Sequence, residues 1–141
     1  MPTTIDSTRF GRIEVAPDSE IAFPDGLAGF DSRRFTLIAR EQDDAFVWLH
    51  SLDDPALALP LADPRRFFSA FALDPAPAAD AAIYVTVRAA ERPEDFTANL
   101  RAPIVIAAGV GQQVINEAPG AELRAPLFAE LVAAASDDRA A

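Results

Sequence analysis

The chain has 141 residues, 22 Asp and Glu against 12 basic side chains, and a formal charge of −10, which fits one acidic domain able to bury its own core. All twelve bases are Arg, Cys is absent, and there is one His and one Tyr. These absences exclude disulfides, thiolate nucleophiles, Cys-held metal, Schiff-base lysines and the lysine of a phosphate-binding loop.

In chain order, Phe10, Ile13 and Val15 lie around Gly11 and end at a Pro17-Asp18 break; Ile21 and Phe23 then follow at a spacing of two, the period of a strand. Pro24-Asp25-Gly26 with Gly29 reads as a tight turn, since Pro presets φ and Gly accepts positive φ. Strands are expected at Phe35–Ile38 and in the aromatic run Phe46–Leu49. Asp53-Asp54-Pro55 is a turn signal, and Leu57, Leu59 and Leu61 alternate after it. Pro60 interrupts that alternation, so this strand is expected at an edge or an end near the proline. Asp63-Pro64 has the form of a cap followed by the first residue of a helical turn.

Phe67, Phe68 and Phe71 lead into a linker-like loop over 74–82. Ile83, Val85 and Val87 alternate as a strand, and Glu91–Asp95, with Pro93, is a turn. Pro103–Ile106 begins another strand, Gly109 and Gly111 mark a hairpin turn, and Gln113–Ile115 return along it. Helix spacing emerges only at the end, where Leu127, Phe128, Leu131, Val132 and Ala135 predict a helix over about 126–135. A polar tail from Ser136 follows.

Eight to ten short strands without strand–helix alternation predict a mostly β protein, a small antiparallel β-barrel-like single domain with a short C-terminal helix. The barrel is assigned to residues 1–125, and the helix and tail to 126–141. Half of the residues are hydrophobic, but thirty of them are Ala, so the core rests on ten Phe with the Leu, Ile and Val positions. No apolar run approaches the roughly 20 residues of a membrane span, and the polar N-terminus lacks signal-peptide order. A soluble cytoplasmic protein is expected, working as a monomer.

Few residues suit chemistry. His50 has no second His or Cys to work with and reads as a half-buried histidine satisfied by a backbone group. The acid groups Asp43-Asp44, Asp53-Asp54, Glu91-Glu94-Asp95 and Asp137-Asp138 sit in turns, where Asp bonds to local backbone, and no calcium-type loop spacing accompanies them. Gly109-Val110-Gly111 lacks the rest of a dinucleotide fingerprint, and Ser51 and Ser69 lack a nucleophile-elbow setting. Neither catalysis, cofactor nor metal is expected. The surplus of carboxylates disfavours direct binding to nucleic acid, and the same field attracts a basic protein.

Several stretches taken together carry a resemblance: Phe10-Gly11-x-Ile13, then Ile21-x-Phe23-Pro24-x-Gly26-Leu27-x-Gly29-Phe30, then Phe46-x-Trp48-Leu49-x-Ser51-x-Asp53-x-Pro55. Phe96-Thr97-Ala98-Asn99-Leu100-x-Ala102-Pro103-Ile104-Val105-Ile106 and Gln113-Val114-Ile115 complete the set. In order and spacing the chain resembles the FliW family of flagellar assembly factors over residues 10–115. The resemblance implies a non-enzymatic β-barrel-like fold. It also implies two partners: the translational regulator CsrA, whose repression of flagellin mRNA would be relieved, and flagellin itself. The chain departs from the family pattern at His50, where Gln is usual, and in the 107–111 turn, which lacks the usual Asn.

Contact residues expected for a basic partner are the turn acids Asp53, Asp54, Glu94 and Asp95, with Asn99 supporting its loop or touching the partner. The alternatives are an acidic barrel serving a different basic protein and a carboxylate-based hydrolase, which would need two acids converging in a pocket.

Overall fold

The computed structural model of the chain describes residues 3–27, 29–39, 46–68, 70–74, 76–77 and 80–128. Along them run β1 (Thr3–Ser7), β2 (Gly11–Val15), β3 (Ile21–Ala22), β4 (Arg34–Ile38), β5 (Phe46–Ser51) and β6 (Ala58–Ala62). The one-turn helix α1 (Pro64–Phe67) follows, then β7 (Ala82–Arg88), β8 (Thr97–Ala98), β9 (Ile104–Ala107), β10 (Val110–Gln113) and β11 (Ala125–Pro126).

Seven strands close into a barrel. The order β7–β6–β5–β4–β3–β10–β9 returns to β7 through the pairing of Ala82–Tyr84 with Ile104–Ile106. All of these pairings are antiparallel except β10 with β3, where Val110 sits opposite Ala22. Closure removes the exposed sheet edges that an open arrangement of short strands would leave.

Alternation of side chains across the wall then sorts inside from outside. Phe23, Phe35, Leu49, Leu61 and Ile104 fill the interior, with Leu37, Val47, Leu59, Tyr84 and Ile106 packed against them. Phe23 and Phe35 meet edge to face with ring centroids 5.1 Å apart, a favoured aromatic geometry.

The β9–β10 hairpin corrects one sequence reading. Its turn is Ala108-Gly109, with φ of 51° and 76°, as a two-residue type I′ turn requires. Gly111 belongs to β10 instead, and a Cβ there would lie 2.3 Å from Phe23 Cζ. That glycine makes room for a core ring. It does not turn the chain. The return strand ends at Gln113, and Ile115 is exposed.

Pro60 turns out to lie within the ring, not at its rim. Ser51 N–H donates to Leu57 C=O, so the odd residues of β6 aim their backbone at β5 and Pro60 faces β7. The β6–β7 ladder begins only at Leu61, opposite Thr86. The missing N–H therefore falls where that ladder has not yet started. At Asp63 the cap forms as expected, its carboxylate accepting from Arg65 N–H at 3.0 Å.

Two structures cover the outside of the wall. The hairpin β1–β2, whose first strand the polar sequence Thr3–Ser7 conceals, lies over β5: Phe10 packs on Trp48 at 5.6 Å, and the Arg9 guanidinium sits 4.5 Å from the Trp48 ring centre. On another face, Ala62, Val85, Val87, Ala98, Ala125 and Leu127 form a second apolar cluster. Phe128 joins it, with ring centroids 5.9 Å from Phe67 and 5.6 Å from Phe96. Of the helix expected over about 126–135, Pro126 pairs in β11 and Leu127–Phe128 form a turn. Residues 129–141 lie outside the described residues.

Candidate functional site

Register brings the residues of interest to one end of the barrel. Ala22 ends β3 opposite Arg34, which begins β4; Ser51 ends β5 opposite Phe35; and Ala58 begins β6 opposite His50. The end of β7 lies toward the start of β6 (Thr86 with Leu61) and toward the start of β9 (Tyr84 with Ile104). The connections 23–33, 52–57, 89–96 and 99–103 therefore leave from the same end. Asp53 and Asp54 lie in the second, Glu94 and Asp95 in the third, and Asn99 in the fourth.

Buried hydroxyls shape this end. Ser51 Oγ accepts from the backbone N–H groups of Asp53 and Asp54, each at 2.9 Å, and donates to Ser32 Oγ at 2.7 Å. The Ser51-x-Asp53-x-Pro55 segment is thereby fixed, and the 23–33 loop is tied to it. Asp53 is also engaged: Oδ2 accepts from Arg33 N–H at 3.3 Å, and Oδ1 lies 3.7 Å from Arg34, which also bonds Glu20 at 3.0 Å. Asp54 Oδ1 accepts from Ala56 N–H at 2.9 Å. Glu94 and Asp95 are exposed on a 3₁₀ turn, Pro93–Asp95. Among the described residues, Asp53 is the one of the four acids held in an ion pair.

Asn99 has a structural task. Between Ala98, opposite Val87, and Ile104, opposite Tyr84, the strand beside β7 bulges through residues 99–103. Asn99 Oδ1 accepts from Arg101 N–H at 3.0 Å and Ala102 N–H at 3.1 Å, closing the bulge as an Asx-type turn. Its side chain also borders a hollow of about 280 Å³ at the barrel mouth, with Leu27, Phe30, Leu59, Ile104 and Gln113. Sequence reasoning missed this hollow, which none of the four acids borders. Its one legible signal was Phe30, an aromatic placed beside a turn glycine and left 40% exposed.

His50 is fully buried and committed at both nitrogens. Nδ1–H donates to Ser51 C=O at 2.7 Å, which leaves Nε2 to accept the Ser7 hydroxyl proton at 2.7 Å. Ser7 Oγ in turn accepts from Arg9 and Phe10 N–H. The ring is a fastener between wall and hairpin. Among the described residues no three of His, Cys, Asp and Glu gather as a metal site would require, and no helix is long and apolar enough to cross a membrane.

A closed β-barrel with hydrogen-bonded turn acids and an apolar mouth at one end has the makeup of a small protein-binding module. The FliW protein family pattern matches residues 4–127, and the chain belongs to the FliW family. It is 31% identical over 140 residues to a flagellar assembly factor FliW of Bdellovibrio bacteriovorus, covering 90% of this chain and 80% of that one. Against the flagellar assembly factor FliW of Nitratidesulfovibrio vulgaris (strain DP4) it is 40% identical over 121 residues, covering 76% and 70%. A crystal structure of the flagellar assembly factor FliW superposes with a TM-score of 0.78 at 30% identity, covering 89% of this chain and 96% of that one.

Proposed function

We propose that this chain is a cytoplasmic, non-catalytic flagellar assembly factor that binds CsrA, relieves its repression of flagellin mRNA, and also binds flagellin. The family match over residues 4–127 carries this reading, and the formal charge of −10 supports it. An acidic surface attracts a basic RNA-binding protein and speeds the encounter. Flagellin and CsrA take turns on the factor by mass action, so export of flagellin frees it to restrain CsrA. Asp53, Asp54, Glu94 and Asp95 are the proposed carboxylates facing the basic partner, with Asn99 holding the adjacent bulge.

Calorimetry with purified CsrA and purified flagellin at low salt tests the reading. Binding to both, with either one displacing the other, is the expected result. Absence of measurable heat with both proteins defeats it.

A further inference from the structure

The tip of the β1–β2 hairpin rests on the turn that carries Asp53 and Asp54, as well as on the wall behind it. Thr8 N–H donates to Pro55 C=O at 2.9 Å. Beside Thr8, Ser7 Oγ accepts from Arg9 and Phe10 N–H at 3.2 and 3.0 Å and donates to His50 Nε2 at 2.7 Å. Ser51 Oγ repeats the pattern across the contact. It accepts from the N–H groups two and three residues on, Asp53 and Asp54, and donates to Ser32. A serine hydroxyl has one proton and two lone pairs, so both hydroxyls are saturated. Each closes its own turn. His50 joins one turn to the other, through Ser7 at Nε2 and the Ser51 carbonyl at Nδ1.

Ser7, His50 and Ser51 are all buried, as are Ile5 and Val15 on the underside of the hairpin. Lifting the hairpin breaks the Thr8–Pro55 and Ser7–His50 bonds together and uncovers that apolar surface. A buried polar group left unpaired is costly, so neither bond is lost without the other. A third route runs from Thr3 Oγ1 to Glu20 at 3.0 Å, on to Arg34 at 3.0 Å, and to Asp53 at 3.7 Å. Its ion pairs are half-exposed and screened by solvent, so it adds little. The buried links carry the coupling.

We infer that the β1–β2 hairpin is a positioning element for the acid turn. Ser7, Thr8 and His50 hold the backbone of residues 52–57 so that Asp53 and Asp54 meet a basic partner in a fixed arrangement. With the hairpin docked, the partner binds a turn that is already ordered. With it lifted, binding must first order the turn, and affinity falls. The consequence for binding rests on the function proposed above; the coupling of hairpin to turn does not. Glu94 and Asp95 stand on a separate connection, the 3₁₀ turn Pro93–Asp95, and serve as the comparison.

Native-state hydrogen exchange on the unaltered full chain, in urea below the unfolding transition, tests the coupling. The amides of Thr8, Asp53 and Asp54 are expected to share one opening free energy and one urea slope. Turn amides that stay protected after Thr8 has exchanged overturn the inference. Ser7→Ala is expected to speed exchange at Asp53 and Asp54 at least tenfold, with the amides of β7 unchanged. Arg9 and Phe10 cover Trp48, the one tryptophan of the chain, so its emission is expected to shift to the red in the same variant. Unchanged exchange at Asp53 and Asp54, or equal acceleration in β7, overturns the inference as well. Against purified CsrA, Ser7→Ala and Asp54→Asn are each expected to weaken binding at least threefold, and together by less than the product. The losses from Ser7→Ala and Glu94→Gln/Asp95→Asn are expected to multiply. Full multiplication in both pairs overturns the positioning role. An unaltered chain that binds no CsrA defeats the proposed function instead, and the exchange data then decide the coupling alone.

Discussion

At position 50 one side chain joins the barrel wall to its covering hairpin. Truncation by His50→Ala removes two buried hydrogen bonds and leaves the Ser7 hydroxyl proton without an acceptor and the Ser51 carbonyl without its imidazole donor; we expect a loss of about 2–4 kcal/mol in urea unfolding. His50→Gln, which restores a donor and an acceptor, is expected to recover more than half of that. Gly111→Ala places a methyl against the Phe23 ring, where an ideal Cβ comes within 2.3 Å, and should cost about 1–3 kcal/mol. Adding Phe23→Leu is expected to cost less in the Gly111→Ala background than alone, a coupling that a double-mutant cycle measures. Burial, and to a lesser degree nearby Asp63, raise the Tyr84 phenol above its ordinary range. Folded Tyr84 thus keeps its proton where the unfolded chain has lost it. Stability should fall as pH rises past about 10, and Tyr84→Phe should flatten that part of the profile. These residue-level roles were unevenly legible: a backbone partner for His50 was expected from the sequence, but Gly111 resembles a turn glycine until Phe23 is placed beside it by the pairing of β10 with β3.

Among the elements, the strands were the most readable because a period of two survives in almost every one. β7 buries Ile83, Val85 and Val87 in strict alternation. What escaped was the first strand, Thr3–Ser7, whose composition is polar because only Ile5 and Ser7 are buried against the barrel. The β9–β10 turn offers an element-scale prediction. Ala108 holds φ at 51°, a region where a Cβ is unfavourable and Asn is better tolerated. Ala108→Asn, giving Asn-Gly at the turn, is expected to stabilise the protein by about 0.5–1 kcal/mol, read as a higher denaturation midpoint with an unchanged denaturant slope.

For the whole molecule, charge sets the terms of encounter. With a formal charge of −10, the proposed association with CsrA is expected to slow several-fold between low and physiological salt, mainly through the on-rate. Reversal by Asp54→Lys or by Glu94→Lys/Asp95→Lys should reproduce part of that slowing, measured by stopped flow. Asp53→Lys should also destabilise its turn, since that carboxylate already holds Arg33 and Arg34. Composition and periodicity by themselves determined the acidic surface, the lack of Cys and Lys chemistry, the many short strands and their turns, because these depend on residue type and local spacing. Only the tertiary structure decided which strands close the ring and that Asp53, Glu94 and Asn99 share one end. Those facts depend on register between strands far apart in the chain, and register is settled by packing on both faces of the wall.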